Sequence, residues 1–225
     1  MNREEALKLL RGGEDGIREW NLRRAQGECI PPLNNVDLNG TELVTANASN
    51  AKFAKARLRG ACFNGANLKS ADLSDADLSQ AHLVGANLSA ANLRGACLDS
   101  AHLDEANLAC ADLANTDLFK ASLAAVTLVD SDLRGASLFG AILADTVLLG
   151  AELRDATVGG TLFADVDLSL VRDLDLVNVE GPCTVGIDTL TMSRGRISPS
   201  VLRDCGFLPW QVKMAELFDD TLDLN

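Results

Sequence analysis

The chain has 225 residues, a formal net charge of −12 and 47% hydrophobic residues, of which few are aromatic. This apolar content is enough for a folded core, so the composition excludes a disordered protein. The negative charge disfavours direct binding to nucleic acid or to an anionic membrane surface, and it is compatible with basic partners.

Residues 1–32 predict a helical N-terminal cap. The segment from Arg3 to Gln26 has helical spacing of apolar residues, and its glycines at positions 12, 13 and 16 are expected to divide it. The acidic start of the chain and the lack of a long apolar segment predict a soluble cytoplasmic protein without a signal peptide or membrane span. Four apolar residues are available to cover the next element: Leu7, Leu10, Ile17 and Trp20.

A five-residue period runs from Leu38 to Leu168 without an insertion. If i denotes the Leu position, Leu occupies 22 of the 27 i positions, Phe occupies three, and i−2 is mostly Ala. Five residues advance an α-helix by about 500°, so no apolar stripe forms, and in a straight strand an odd period alternates between faces. The chain must therefore turn at every unit, which predicts a parallel β-solenoid with i and i−2 inside.

Units such as ADLSD, ANLSA and ADLSQ resemble the A(D/N)LXX pattern of the pentapeptide-repeat family. This resemblance implies a right-handed quadrilateral parallel β-helix over residues 33–170, with four pentapeptides in each coil. All five prolines lie outside the repeat, as expected where backbone N–H groups pair with the next coil. The predicted core includes Leu68, Leu73, Leu78, Leu83, Leu88, Leu93, Leu98, Leu103, Leu108, Leu113, Phe53, Phe63 and Phe163.

The five-residue frame breaks after Ser169, and residues 171–225 predict a final irregular turn followed by a helical cap or tail. We expect one short helix from about Ser198 and another from Pro209 to Phe218. Residues 187–210 loosely resemble tails that follow this repeat in some bacterial proteins beside signalling or effector domains. This resemblance implies a targeting module coupled to an effector as one possible function.

Units separated by one full coil are expected to stack on one face of the solenoid. A column of Asn47, Asn67, Asn87 and Asn107 has two interpretations, an anion-binding ridge or a structural amide ladder. A candidate acidic stripe is flanked by Arg94, Arg134 and Arg154, so it is either a partner-binding stripe or a solvated, salt-bridged face. The stripe comprises Asp72, Asp112, Asp117, Asp130, Asp132 and Glu152.

The charge of the repeat suggests an alternative function. Residues 71–170 contain fifteen acidic and four basic residues, a net charge of −11. This is about one charge per 2.2 Å of axis, against about one per 1.7 Å in duplex DNA. Some pentapeptide-repeat proteins inhibit or protect DNA gyrase as DNA mimics, and quinolone-resistance proteins are among them. The chain lacks the inserted loops of the plasmid-type resistance proteins.

The later coils carry apolar residues at positions that should point outward. We expect an interface there, formed with a protein partner or a second copy of the chain, unless the C-terminal segment covers it. The sequence thus favours a non-catalytic protein-interaction scaffold, with the gyrase-binding DNA mimic and the targeting module as alternatives. The candidate interface residues are Phe119, Phe139, Val129, Leu149, Ile142 and Leu162, with Val147 beside them.

Catalytic and metal chemistry are not predicted. His82, His102 and Cys62 form one column, but a flat ladder holds side chains in parallel, and a tetrahedral metal site needs converging ligands. The six cysteines are dispersed and predicted to be reduced thiols. We therefore expect neither an enzyme nor a bound cofactor.

Overall fold

The computed structural model describes residues 1–218. Within these residues, two helices precede a long stack of coils, and three helices follow it. Most strands of the stack are single bridging residues, and longer strands occur only towards its end. The elements are α1 (Arg3–Leu10), α2 (Gly13–Ala25), β1 (Ile142–Ala144), β2 (Thr157–Val158), β3 (Leu162–Ala164), a 3-10 helix (Leu174–Leu176), β4 (Asn178–Val179), β5 (Thr184–Val185), α3 (Ile187–Met192), α4 (Pro199–Asp204) and α5 (Pro209–Glu216).

The N-terminal helices close the first coil, and their predicted presence is confirmed. Asn2 and Glu5 form a capping box that starts α1. Trp20 is fully buried, and its Nε1 donates to the Asn47 carbonyl at 2.9 Å. Asn21 both accepts from the Asn47 N–H at 2.7 Å and donates to the Thr45 carbonyl at 3.1 Å. These side chains satisfy backbone groups at an edge that would otherwise be unpaired.

Each coil of the solenoid consists of four pentapeptides. Parallel bridges join the i−1 residues of successive coils, from Asp37↔Arg57 to Glu152↔Arg172. Each unit that makes such a bridge is therefore paired with the fourth unit after it, and these paired units stack on one face. We number the faces by their central units: face 1 contains Leu98, face 2 Leu103, face 3 Leu108 and face 4 Leu113.

A β-turn forms the corner between consecutive faces. Every i+2 residue from Asn35 to Asp165 has a φ between +53° and +70°. In a typical corner, the Ala66 N–H donates to the Phe63 carbonyl at 2.9 Å. Gly adopts a left-handed φ without strain, which explains its frequency at i+2.

The inward positions form one continuous core. Every i residue from Leu38 to Leu168 is no more than 4% exposed, and the i−2 residues from Ala46 to Val166 are buried beside them. Phe53 and Phe63 meet edge to face, with ring centroids 6.5 Å apart. The small i−2 side chain leaves room for the larger i side chain, and this size difference repeats throughout the stack.

The C-terminal end continues the ladder with a shifting register. Successive bridges pair Glu152 with Arg172, Thr157 with Asn178 and Leu162 with Thr184, so that each spans one residue more than the bridge before it. The 3-10 helix accommodates one of the two inserted residues. Helix α3 and its C-cap Ser193 then close the last coil, since the buried hydroxyls of Thr189 and Ser193 accept from the N–H groups of Val166 and Leu168.

Candidate interaction surfaces

Asp and Asn at i−1 complete the hydrogen bonding of their own unit. Their side-chain oxygen accepts from the backbone N–H two residues later, as from Ala109 to Asn107 and from Phe119 to Asp117, both at 3.0 Å. This Asx-turn explains the D/N position of the repeat. The residues that accept in this way include Asp37, Asn47, Asn67, Asp72, Asp77, Asn87, Asn92, Asn107, Asp112, Asp117, Asp132 and Asp167.

Where i−1 is not Asp or Asn, an acceptor from the preceding coil can serve the same N–H group. Asn64 accepts from Val84 N–H at 3.0 Å, and Asp104 accepts from Ala124 N–H at 3.3 Å. The asparagine column on face 3 thus has a local backbone role in each of its four units. That geometry accounts for the column without a bound anion.

Arginines neutralise the acidic residues of face 4. Arg94 lies 3.0 Å from Asp112, and Arg134 lies 2.6 Å from Asp132 and 3.8 Å from Glu152. Hydrogen bonds from the Arg134 guanidinium hold the pKa of Asp132 below its usual value, although partial burial opposes this shift. Face 4 therefore presents paired charges over these coils.

The structure does not place all the predicted stripe residues together. Asp72, Asp112, Asp132 and Glu152 share the face 4 column. Asp117 belongs to the face 1 column, where it bridges Cys97 and Ser137. Asp130 lies at the corner between faces 3 and 4, and its carboxylate is 3.5 Å from Arg172.

Unbalanced negative charge is found on face 2 instead. Its seven units from residue 41 to residue 165 contain five carboxylates and neither Lys nor Arg. Four of these carboxylates lie beyond residue 100, at the corner with face 3. The five are Glu42, Asp104, Glu105, Asp145 and Asp165.

Phe119 and Phe139 stack along the corner between faces 1 and 2. Their ring centroids are 6.0 Å apart with an interplanar angle of 12°, and Lys120 Nζ lies 4.9 Å from the Phe119 centroid. The Phe139 ring occupies the space above Gly159, where an added Cβ would come within 2.6 Å of Phe139 Cε2. Both rings are partly buried, so part of their apolar surface already packs within the coil.

The other predicted interface residues lie in two separate places. Ile142 and Leu162 are paired in register on face 2, and Ile142 is 42% exposed. Val129 and Leu149 lie at the corner between faces 3 and 4. Residues 171–218 extend and close the end of the coil, while Ile142, Val147 and Leu149 stay exposed.

Val147 and Leu149 belong to an apolar groove that the sequence pattern did not reveal in full. The groove has a volume of about 330 Å³, and Leu170 and Met192 complete its apolar lining. Met192 comes from α3, outside the repeat, so its position depends on how the C-terminal cap folds back. Leu170 occupies the i+2 position after Leu168. A large apolar residue at this corner position is the sequence feature that could have indicated the groove.

The two histidines are stacked in parallel, with centroids 5.1 Å apart and an interplanar angle of 4°. Within residues 1–218, there is no cluster of three or more His, Cys, Asp or Glu side chains placed to hold a metal ion. Likewise, none of the helices in that part of the chain is long and apolar enough to cross a membrane. The side chains described here stand in parallel columns along the faces.

Fold and surfaces define a parallel β-solenoid with four short faces per coil and side-chain columns on its exterior. The chain belongs to the pentapeptide-repeat family. The model for pentapeptide repeats matches eight copies, in residues 33–69, 71–108, 96–135 and 131–169, which is more than half of the chain. This match confirms the resemblance of the repeat units, and members of the family are generally non-catalytic.

Several solved structures are similar to this chain. HetL, a pentapeptide repeat protein involved in heterocyst differentiation regulation from the cyanobacterium Nostoc sp. strain PCC 7120, is 25% identical, with a TM-score of 0.39; the match covers 71% of this chain and 90% of HetL. Rfr23 from the cyanobacterium Cyanothece 51142 is 26% identical, with a TM-score of 0.37 and coverage of 52% and 66%.

QnrB1, a plasmid-mediated fluoroquinolone resistance protein, is 21% identical, with a TM-score of 0.35; the match covers 66% of this chain and 85% of QnrB1. No curated protein matches the chain. At these TM-scores the likenesses carry no argument about function.

Proposed function

We propose that the protein is a rigid, non-catalytic scaffold whose late coils bind a partner protein. The observation that carries this proposal is the exposed apolar surface on face 3, where Val147 follows Asn107 and Thr127 in the column and lies in one groove with Leu149. Clustered apolar surface on a folded protein is typical of an interaction site. The late coils are also where Ile142 and Leu149 are exposed.

The backbone under this surface supports a scaffold role. The bridging residues are hydrogen-bonded to the preceding coil through both backbone groups, as Val147 is through its N–H to the Val126 carbonyl and its carbonyl to the Leu128 N–H, at 2.9 and 2.8 Å. A surface held in this way loses little conformational entropy when a partner binds. We propose that the coil is the right-handed quadrilateral form implied by the family resemblance.

The test compares binding by two matched variants. Ile142→Thr/Val147→Thr changes the late coils, and Val44→Thr/Val84→Thr makes the same type of change at exposed valines of the early coils. We expect the first variant to lose a partner from an extract of the source organism that the wild type and the second variant retain, with the loss reproduced using purified partner. Equal binding by all three proteins would contradict the proposal.

Sedimentation of the same proteins identifies the partner when it is a second copy of the chain. Self-association that weakens only in the late-coil variant would assign this surface to a homodimer. A monomer at all concentrations would leave a different protein as the partner.

The net charge of −11 over residues 71–170 favours a second candidate function, a DNA mimic that binds DNA gyrase. Because arginines pair with much of the predicted stripe on face 4, the carboxylates at the corner of face 2 are the better candidates for mimicking DNA phosphates. A gyrase supercoiling assay at low and moderate salt tests the candidate with Asp104→Asn/Glu105→Gln/Asp145→Asn beside Asp112→Asn/Asp132→Asn/Glu152→Gln. Mimicry predicts inhibition that weakens with salt and is lost in the face 2 variant; inhibition insensitive to salt, or none, would reject it.

A further inference from the structure

The groove on face 3 combines apolar and acidic surface in one place. Its apolar wall consists of four side chains that are 44–49% exposed. Three carboxylates, Thr146 and the buried Leu148 complete the lining, and none of the described lining residues is Lys or Arg. The apolar residues are Val147, Leu149, Leu170 and Met192, and the carboxylates are Asp145, Asp165 and Asp167.

The repeat geometry fixes the spacing of these groups. Asp145 and Asp165 occupy the same corner position in successive coils, which places them about 4.8 Å apart along the axis. Asp167 follows Val147 in the face 3 column, one coil further on. A binding partner therefore meets the apolar wall between a pair of stacked carboxylates on one side and a third carboxylate at the end.

The groove is formed before any partner binds. Gly150 N–H donates to the Leu170 carbonyl at 3.0 Å, and Asp130 N–H donates to the Leu149 carbonyl at 2.9 Å. Beneath the surface, the buried Thr146 hydroxyl donates to the Leu123 carbonyl at 2.7 Å. These hydrogen bonds tie the wall residues Leu149 and Leu170 and the buried Thr146 to neighbouring coils.

We infer that this groove binds a basic amphipathic segment of a partner protein, with aliphatic side chains on the apolar wall and Lys or Arg beside the three carboxylates. The inference rests on the scaffold function proposed above and names its partner chemistry. The same charge argues against a two-fold contact between grooves of two copies, because such an interface would bring both sets of carboxylates together.

The test uses a fluorescent amphipathic peptide of leucine and lysine as the probe, beside a peptide of the same pattern with glutamate for lysine. Asp145→Asn/Asp165→Asn/Asp167→Asn removes the groove charges. Asn keeps the turn in which Asp167 accepts from Ser169 N–H at 2.9 Å, and it tolerates the left-handed φ at the other two positions. The matched control, Asp72→Asn/Asp77→Asn/Asp117→Asn, removes the same number of charges from Asx-turns on faces 1 and 4.

We expect the lysine peptide to bind the wild type and the glutamate peptide not to bind. The groove variant should weaken binding by about tenfold or more, and the control by no more than about twofold. Val147→Thr/Leu149→Ser should also weaken it by about tenfold, because the apolar contacts are lost. Circular dichroism and thermal unfolding of every variant verify that the fold is kept.

Three results would overturn the inference: no binding of the lysine peptide to the wild type, equal loss in the two charge variants, or full binding to Val147→Thr/Leu149→Ser. Equal loss would mean that the peptide responds to net charge alone. The extract experiment decides the scaffold function separately. A natural partner lost in Ile142→Thr/Val147→Thr would keep that function even if the lysine peptide failed.

Discussion

The early coils, residues 33–110, and the late coils, residues 111–170, use the same interior to support different exteriors. In both, a buried apolar residue at i, usually Leu or Phe, packs beside a small i−2 residue. Outside, the early face 3 column is asparagine, whereas the late one passes through Thr127 to Val147 and Asp167. The inward residues thus set the coil, so that outward residues can change along the rod without changing the backbone.

The interior itself differs slightly between the two regions. From residue 46 to residue 111 every i−2 residue is Ala, but several late units have a larger residue. The hydroxyls of Thr116, Thr146 and Thr161 donate to carbonyls of the preceding coil at 3.0, 2.7 and 2.9 Å. A buried hydroxyl is tolerated at these positions because its hydrogen bond is made.

If the two regions share one interior, removing an i side chain should cost the same in each. Leu103→Ala and Leu143→Ala are both expected to lower the free energy of unfolding by about 2–5 kcal/mol, because each deletes a side chain that is no more than 1% exposed. Urea unfolding followed by circular dichroism measures both. Ser89→Ala serves as a surface control, and a negligible cost for Leu143→Ala would contradict the shared interior.

Gly159→Ala tests a contact of the late coils, the one between Gly159 and the Phe139 ring. The added Cβ would collide with the Phe139 ring, so we expect a loss of about 1–3 kcal/mol in the free energy of unfolding. Phe139→Ala in the same protein should remove most of the collision, which a double-mutant cycle detects as a coupling between the two sites. Additive effects would show that the ring does not depend on this glycine.

The Asx-turns provide a comparison at equal positions in the two regions. Asp77 accepts from Ser79 N–H at 3.0 Å in an early coil, and Asp167 accepts from Ser169 N–H at 2.9 Å in the last one. Replacing either by Ala should cost about 1 kcal/mol, since it leaves a backbone N–H without its acceptor, whereas Asn should be nearly neutral. Thermal unfolding compares the pairs, and a cost for Asn equal to that for Ala would show that charge is the important property.

The smallest expected effect concerns the ion pair of face 4. Because the pKa of Asp132 is lower in the folded protein, the pair stabilises the fold above the ordinary Asp value of about 3.9. This contribution is lost as the pH falls through the folded-state pKa. Wild type should exceed Asp132→Asn in stability by no more than about 1 kcal/mol at neutral pH, with the gap closing in acid. A stability difference between the two proteins that grows in acid would contradict a lowered pKa of Asp132 in the folded protein.

Sequence alone could predict the coil because its information is local and repeated. Leu83 and Leu103 both point inward because each occupies the i position of its unit, and the pattern of one five-residue unit is enough to identify that position. The N-terminal helices were also predictable from apolar spacing and from the break at Gly12 and Gly13, whereas Gly16 lies within α2 and does not divide it.

The contacts made beyond the repeat were not predictable in this way. Helix α3 has the sequence IDTLTM, whose β-branched residues favour strands, and it is helical because Thr189 and Leu190 are buried against the last coil. Met192 joins the groove only through that docking. The pairing of arginines with particular carboxylates likewise depends on the stacking of coils, since Arg94 and Asp112 belong to successive coils of face 4.

The four-unit coil also limits how the length of such a chain can change. An insertion or deletion of four whole pentapeptides would add or remove one coil and leave every side-chain column aligned. A change of a single pentapeptide would preserve each corner and the inward side chains, but it would rotate everything that follows by a quarter of a turn. Val147 and Leu149 would then leave the side of the rod that carries the asparagine column, so growth of this protein by whole coils is the only route that keeps its surfaces in order.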